Sequence, residues 1–244
     1  MRIRVLVNGA KGKMGQETVK AIAQTDDLEL VAETGKNDDL QRAIQHSGAQ
    51  VAVDFTTASV AFENASRIIA ANAHPVIGTS GLLVEQVEEL ALICQKKQLG
   101  GIIAPNFALG AVLMMQYARD CARYFPDVEI IEMHHTGKAD APSGTALRTA
   151  EVISETQAAK TLPQASRIEK FPGVRGGVYQ NIPIHAVRLP GMLAHQMVIF
   201  GGLGQTLSIR HDAFSREAYM PGVCLACRKV VKLKELVFGL ERVL

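Results

Sequence analysis

The sequence predicts an α/β fold in which a parallel sheet domain is followed by an α+β domain with an open mixed sheet. Short β-branched runs alternate with helical patterns over roughly the first 100 residues, which is typical of a parallel sheet covered on both faces. A glycine-rich turn follows the first run directly. A later run, Gln-Thr-Leu-Ser-Ile-Arg at 205–210, alternates polar and apolar residues, which indicates a sheet with one wet face.

The first domain is predicted to contain five strands and four helices in alternation. The strands are near-continuous apolar runs, so both faces of the sheet should be buried. We expect strands at 3–7, 28–32, 51–55, 75–77 and 101–104, and helices at 14–24, 40–46, 60–71 and 84–97.

The pattern changes near residue 106, where we place a domain boundary. We expect, in order, a helix at 109–124, a strand at 128–133, a helix at 143–159, a loop at 161–180, and strands at 182–189, 196–200 and 205–210. The domains are therefore 1–106, for dinucleotide binding, and 107–213, for substrate binding and oligomerisation. The helical segment 214–244 should pack back on the first domain. An open sheet face often becomes an interface between subunits, so we expect self-association.

Composition excludes several classes of function. The 244 residues are 48% hydrophobic and carry a net charge of +2, too little to indicate nucleic acid or a membrane surface as the main partner. The first residues enter a strand pattern directly, without the features of a secretory signal, and no apolar run approaches the roughly 20 residues of a membrane span. We expect a cytoplasmic protein.

Cys224 and Cys227 form a C-x-x-C pair, which raises the possibility of a redox or metal site. The surrounding segment is apolar at helical spacing, and no second Cys or His pair lies nearby in the sequence. We interpret the pair as buried cysteines one helical turn apart. A reducing compartment fits this interpretation best.

The glycine-rich turn is the strongest signal in the first domain. Gly9, Gly12 and Gly15 follow the first strand and open the first helix, which is the context of a Rossmann-type dinucleotide site rather than of a generic turn. A pyrophosphate needs backbone N–H groups and no obstructing side chain. Glu33, at the end of the second strand, is placed to accept hydrogen bonds from ribose hydroxyls, whereas Lys36 could meet a 2′-phosphate. The choice between NADH and NADPH therefore stays open.

Two further loops follow predicted parallel strands, at 78–81 and 104–107. Ligands of such sheets bind beyond the carboxyl ends of the strands, so both loops should lie on the cofactor side. A plain turn is an equal alternative for each of them on sequence grounds.

The densest polar cluster runs from Glu132 to Thr145. It contains adjacent histidines, His134 and His135, then Lys138, and then a helix entry with a hydroxyl residue, Ser143. Histidine can supply a proton near neutral pH, and a helix entry can bind an anion. The cluster thus predicts a pocket for an anionic substrate that must be protonated, as in hydride reduction. Two alternatives are a metal site with Glu132 as third ligand and plain surface histidines.

Several strings together resemble the dihydrodipicolinate reductase family. They are Val-Asn-Gly-Ala-Lys-Gly-Lys-Met-Gly at 7–15, Asp-Phe-Thr at 54–56, Gly-Thr at 78–79, Pro-Asn-Phe at 105–107, Val-Arg-Leu-Pro-Gly at 187–191, Gly-Gln-Thr-Leu-Ser-Ile-Arg-His-Asp at 204–212, and above all Glu-Met-His-His-Thr-Gly-Lys-Ala-Asp-Ala-Pro-Ser-Gly-Thr at 132–145. The resemblance spans essentially the whole chain.

The resemblance implies an NADH- or NADPH-dependent oxidoreductase of lysine and diaminopimelate biosynthesis, commonly a homotetramer. Its substrate is a cyclic imine dicarboxylate made from aspartate semialdehyde and pyruvate. His134 and Lys138 match the family's catalytic residues, while His135, Ser143, Gly144 and Thr145 match its substrate site. The family's cofactor contacts match Gly9, Ala10, Lys11, Gly12, Lys13, Met14, Glu33, Gly78, Thr79, Ser80, Ala104, Pro105, Asn106 and Phe107.

One position departs from the family pattern. Many members carry Arg immediately after the acidic residue, where this chain has Thr34. Two alternatives to the reductase are an NADH-sensing binding protein, which would need a partner surface, and another dehydrogenase of a small dicarboxylate on the same fold.

Overall fold

The computed structural model describes residues 2–157 and 168–244. It contains two compact units. The first unit comprises Met1–Leu109 and Arg216–Leu244, and the second comprises Gly110–Ser215.

The first unit is built on a six-stranded sheet in which every neighbouring pair is parallel. Its strands are β1 (Ile3–Asn8), β2 (Leu28–Thr34), β3 (Val51–Asp54), β4 (His74–Ile77), β5 (Gly101–Ile103) and β11 (Leu236–Phe238). The order across the sheet is β11-β5-β4-β3-β1-β2. All four residues of β3 are buried, as expected for a strand covered on both faces.

Helices connect these strands and cover the sheet. They are α1 (Lys13–Ala23), α2 (Leu40–Ser47), α3 (Ala58–Ala70), α4 (Val84–Lys97) and, near the end of the chain, α7 (Met220–Val230). Local sequence explains the limits of α2, because the Asp39 side chain accepts from Arg42 N–H at its start and Gly48 ends it with φ of 61°. A core of aliphatic side chains, including Leu6, Ile68 and Leu90, lies between α2, α3, α4 and the strands.

The second unit contains a five-stranded mixed sheet. Its strands are β6 (Asp127–His134), β7 (Gly177–Tyr179), β8 (Ile182–Arg188), β9 (Ala194–Gly202) and β10 (Gln205–Ala213), in the order β10-β9-β6-β8-β7. The pair β6 and β8 is parallel, and the other pairs are antiparallel. Two helices belong here, α5 (Leu109–Cys121) and α6 (Gly144–Ser154), and the core between helices and sheet includes Ile130, Val198 and Phe200. The predicted fold class, a Rossmann-type parallel sheet with a second α+β domain and an open mixed sheet, is confirmed.

Three predictions about elements were wrong. The prediction that helical periodicity returns after residue 214 holds for α7 but missed β11, which pairs with β5 through Leu236↔Gly101 and the two following positions. The predicted loop at 161–180 contains β7, while residues 161–167 of that loop lie outside the described residues. The helix predicted at 143–159 ends at Ser154, and residues 158–159 also lie outside the described ones. The strands β7 and β11 have only three residues each, which is too short for a recognisable periodicity in the sequence. They are recognised in the structure by the strands with which they pair.

Among residues 2–157 and 168–244, no helix combines the length and the apolar character needed to cross a bilayer.

Candidate functional site

The turn after β1 is shaped by glycines at close backbone contacts. Gly9 has φ of +79°, a conformation that side chains rarely adopt, and a Cβ there would lie 2.4 Å from the Phe55 carbonyl oxygen. A Cβ on Gly15 would lie 2.1 Å from the Gly9 oxygen. The first turn of α1 therefore packs directly against the β1 turn, and neither position has room for a side chain.

The start of α1 is open to a ligand. Gly12 is the N-cap residue and supplies no side-chain hydrogen bond to the first helical N–H groups. Those groups have no partner within the helix, and the helix dipole adds positive potential there. Lys11 and Lys13 flank Gly12 and are exposed, while Ala10 is buried and Met14 is half-buried. The glycines, the uncapped helix and the two lysines fit the pyrophosphate of a dinucleotide.

A buried carboxylate joins the carboxyl ends of neighbouring strands beneath this turn. Asp54, at the end of β3, is fully buried and accepts hydrogen bonds from Asn8 Nδ2 at 2.7 Å, Asn64 Nδ2 at 2.9 Å and Thr79 Oγ1 at 2.6 Å. Thr34 Oγ1 donates to Asn8 Oδ1 at 2.9 Å, which extends the network to β2. The network thus fixes the ends of four strands relative to one another. Sequence reasoning did not assign it.

The end of β2 places the predicted ribose contact in solvent. Glu33 and Lys36 are exposed, so both are accessible to a ligand. Thr34 is buried and its hydroxyl is engaged by Asn8, so its side chain points into the network. Its backbone oxygen accepts from the N–H groups of Gly9 and Ala10 at 2.8 and 3.1 Å, which ties β2 to the glycine turn.

The loops after β4 and β5 are also fixed by close packing. A Cβ on Gly78 would lie 2.1 Å from the Phe55 ring, and that ring packs edge-on against Phe107 at 5.8 Å between centroids. Thr79 is buried in the Asp54 network, whereas Ser80 is exposed. In the second loop Ala104 and Phe107 are buried, and exposed Pro105 and half-buried Asn106 lie between them. Since β4 and β5 are parallel neighbours, both loops lie at the same edge of the sheet as the glycine turn.

In the second unit, the end of β6 presents a histidine held by a buried glutamate. Glu132 is fully buried, and its Oε2 lies 2.5 Å from Nδ1 of His134, two residues further along the strand. An ionised carboxylate only accepts hydrogen bonds, so Nδ1 is the donor and Nε2 is the nitrogen left for chemistry.

Arg188, at the end of β8, completes the surroundings of this glutamate. Its two terminal nitrogens lie 2.8 Å from the two carboxylate oxygens of Glu132, a bidentate ion pair. The same guanidinium donates to the Asp140 carbonyl oxygen at 2.8 Å. Burial alone would raise the pKa of Glu132, but the hydrogen bonds from His134 and Arg188 outweigh it and lower that pKa. Glu132 is therefore a charged acceptor rather than a neutral acid.

The loop after β6 carries the predicted lysine. Lys138 Nζ lies 2.7 and 2.8 Å from the two carboxylate oxygens of Asp140, and this contact lowers the pKa of Asp140. His135 is exposed, next to the chain reversal in which Lys138 N–H donates to the His135 carbonyl at 3.1 Å.

The start of α6 is joined to the same glutamate. Ser143 is the N-cap residue; its hydroxyl accepts from Ala146 N–H at 3.2 Å, and its own N–H donates to Glu132 Oε1 at 3.1 Å. Gly144 is exposed with open space around its Cα, and Thr145 is half-buried. The structure thus brings His134, Ser143 and the loop of Lys138 together around Glu132 and Arg188.

Sequence reasoning had considered Glu132 only as a metal ligand and had not singled out Arg188. Within the described residues, no group of three His, Cys, Asp or Glu side chains is arranged to hold a metal ion. A signal was available, because Glu132 precedes His134 on the same face of β6 and the Val-Arg-Leu-Pro-Gly string ends β8. The interpretation of Cys224 and Cys227 is confirmed: both are buried on α7, and burial raises the pKa of each thiol.

Two family models together match the chain along nearly its whole length. The family model described as dihydrodipicolinate reductase, N-terminus, matches residues 3–107, and that described as dihydrodipicolinate reductase, C-terminus, matches residues 110–244. A protein of Coxiella burnetii named 4-hydroxy-tetrahydrodipicolinate reductase is 52% identical over 245 residues. One of the same name from Legionella pneumophila is 50% identical over 244 residues. Both alignments cover 100% of each chain.

A solved structure of the same family has the same fold along the whole chain. A dipicolinate-bound dihydrodipicolinate reductase from Paenisporosarcina sp. TG-14 superposes with a TM-score of 0.93 at 42% identity, covering 100% of both chains. An amine dehydrogenase from Mycobacterium smegmatis has a TM-score of 0.70 at 10% identity, covering 100% of this chain and 96% of its own, and shares only the fold.

Proposed function

Since the chain belongs to the dihydrodipicolinate reductase family, we propose that it reduces 4-hydroxy-tetrahydrodipicolinate to tetrahydrodipicolinate with NADH or NADPH. The ring gains one hydride and one proton, and the 4-hydroxyl group leaves as water. This is a step of diaminopimelate and lysine biosynthesis. The observation that carries the proposal is the convergence of His134 and the α6 start on one buried, charged glutamate, in a chain that matches named reductases from end to end.

The first unit would hold the cofactor. The pyrophosphate would bind at the Gly9–Met14 turn and the uncapped start of α1, with Glu33 at the ribose. The loops at 78–80 and 104–107 supply the remaining contacts at the same sheet edge. A reduced nicotinamide supplies a hydride when it is bound.

The second unit would bind and protonate the substrate. His134 donates a proton from Nε2, while its Nδ1 donates a hydrogen bond to Glu132. Lys138 and His135 contact the substrate carboxylates, together with the Ser143–Thr145 helix start, whose N–H groups and dipole favour an anion. The Lys138 ammonium group, which forms an ion pair with Asp140, also offsets charge that develops on the ring nitrogen before the proton arrives.

Steady-state oxidation of NADH and NADPH by the purified chain tests this proposal. The substrate is generated in the assay from aspartate semialdehyde and pyruvate by the preceding synthase. We expect rapid oxidation that depends on substrate, and the ratio of kcat/KM for the two cofactors will define the preference left open by Glu33, Thr34 and Lys36.

Two variants test the roles of His134 and Lys138. His134→Gln removes the positioned proton donor and Lys138→Ala removes the charge beside the ring nitrogen, so each should lower kcat by about 10²–10⁴. Turnover near wild type in a folded variant would contradict the role of that residue. Nucleotide binding without any substrate-dependent oxidation by the wild-type chain would contradict the reductase and favour a sensor.

The proposal also covers the oligomeric state of the protein and its cellular compartment. One face of the second unit's sheet carries half-buried apolar side chains, Ile131, Met197 and Ile199, while the alternate residues of β6 and β9 form the core. We propose that this face joins subunits into a homotetramer. The four cysteines are free thiols, which fits a reducing compartment, and we propose the cytoplasm.

A further inference from the structure

Glu132 and Arg188 form a buried pair that the reaction as proposed leaves without a direct role. Glu132 is fully buried, and the Arg188 side chain is 19% exposed. Burying a carboxylate and a guanidinium costs free energy that a hydrophobic pair would not cost. The pair is hydrogen-bonded to His134, to the Asp140 carbonyl and to the start of α6. These contacts indicate that the two charges hold the neighbouring groups in place.

We propose that Glu132 and Arg188 are positioning residues that fix the tautomer and orientation of the His134 ring. This inference rests on the proposed function, because it assigns to His134 the proton transfer. Each oxygen of Glu132 has two donors: Oε2 accepts from His134 Nδ1 and Arg188, and Oε1 accepts from Arg188 and Ser143 N–H. No lone pair remains for a second orientation of the carboxylate, so Nδ1 has one acceptor in one place.

Arg188 makes this arrangement rigid. Its bidentate contact sets the plane of the Glu132 carboxylate, and its bonds to the Val187 and Asp140 carbonyls anchor the guanidinium to β8 and to the loop of Lys138. A carboxylate without Arg188 could rotate, and the imidazole would follow it. Among the described residues, Glu132 on the same strand contacts the His134 ring, and Arg188 on β8 contacts Glu132. The following loop carries His135 and the Lys138–Asp140 ion pair.

The kinetic test is a double-mutant cycle between Glu132 and His134. We expect Glu132→Gln to lower kcat about 10–100-fold, part of the roughly 10²–10⁴ that a positioned acid contributes, with little change in KM. In a His134→Gln background the same change should cause no further loss, because Glu132 acts through the imidazole. Glu151→Gln on α6, whose carboxylate accepts from Tyr179 Oη at 3.0 Å, is the control and should keep wild-type kcat.

The tautomer can be observed without turnover. Long-range proton–nitrogen correlation spectra of histidine-labelled protein, with His134 assigned from the His134→Gln variant, should show the proton on Nδ1 in the neutral ring. Glu132→Gln should give a mixture of tautomers, because an amide can either accept from or donate to Nδ1. A wild-type ring protonated at Nε2 would overturn the inference.

A double variant that removes both charges separates an effect on the orientation of His134 from an effect on the stability of the fold. Glu132→Gln leaves the Arg188 charge without its partner and destabilises the unit, whereas Glu132→Gln with Arg188→Met removes both charges at similar volume. This double variant should fold and show the same loss of kcat and the same mixture of tautomers. An equal loss in both His134 backgrounds would show a merely structural role. An undiminished kcat in His134→Gln would instead overturn the proposed catalytic residue, and this inference with it.

Discussion

At the scale of single residues, the glycines of the turn after β1 face backbone atoms where other residues would carry a side chain. Gly15 is the clearest case, since a methyl group there would lie 2.1 Å from the Gly9 oxygen and 2.7 Å from Ala10 Cα. A backbone contact cannot relax by a rotamer change, so the turn itself must move. The N–H groups that would face a pyrophosphate move with it.

Gly15→Ala should therefore weaken nucleotide binding. We expect the Kd for NADH, measured by fluorescence titration, to rise at least about tenfold, or roughly 1.4 kcal/mol. Gly177→Ala is the matched control, because a Cβ at this exposed position meets nothing within 4 Å. Equal affinities of the Gly15 variant and the wild type would argue against this turn as the cofactor site.

At the scale of elements, α7 shows how packing decides the chemistry of a motif. Its C-x-x-C pair lies on the face of the helix that is buried within the first unit, and Thr25 Oγ1 lies 3.8 Å from Cys224 Sγ. Cys94 on α4 is likewise buried, and burial raises its pKa to about 11. Because the thiolate is the reactive form, these three cysteines should be inert in the native protein.

Alkylation with a maleimide followed by mass spectrometry measures this inertness. At neutral pH the native chain should be modified at Cys121, the half-buried cysteine, well before Cys94, Cys224 and Cys227. The same reaction in denaturant should modify all four and serves as the control. Early modification of Cys224 or Cys227 would revive the redox interpretation of the pair.

At the scale of the whole molecule, the open sheet face of the second unit should determine assembly. Ile199 on β9 pairs with Glu129 on β6 and with Ser208 on β10. Its side chain lies on the face opposite the core, because the adjacent residues Val198 and Phe200 belong to that core. An apolar residue on such a face is stabilised by a partner surface, and a charge at the same position would disrupt that interface.

If the proposed homotetramer forms through this face, Ile199→Glu should convert it into smaller species, as measured by multi-angle light scattering. Leu203→Glu is the control, since Leu203 lies fully exposed between β9 and β10 and its substitution should leave the mass unchanged. A wild-type monomer, or a tetramer that survives Ile199→Glu, would contradict the proposed interface.

The sequence by itself determined the features that are encoded by neighbouring residues. Strand and helix periodicity predicted the two kinds of sheet, the glycine spacing at 9, 12 and 15 predicted the turn, and the string at 132–145 indicated both the family and the candidate proton donors. Each of these signals is local, because the residues that make it lie within one element or one turn of each other.

Only the tertiary structure decided the contacts that join distant segments. Arg188 is 56 residues from Glu132, and Asn8 is 46 residues from Asp54, so no spacing pattern connects them. The strand β11 is defined by its pairing with β5, more than 100 residues earlier in the chain, rather than by its three-residue sequence. The local sequence can therefore identify His134 as the candidate acid. Glu132 and Arg188, which we propose orient its ring, become neighbours only when β6 and β8 pair in the folded sheet.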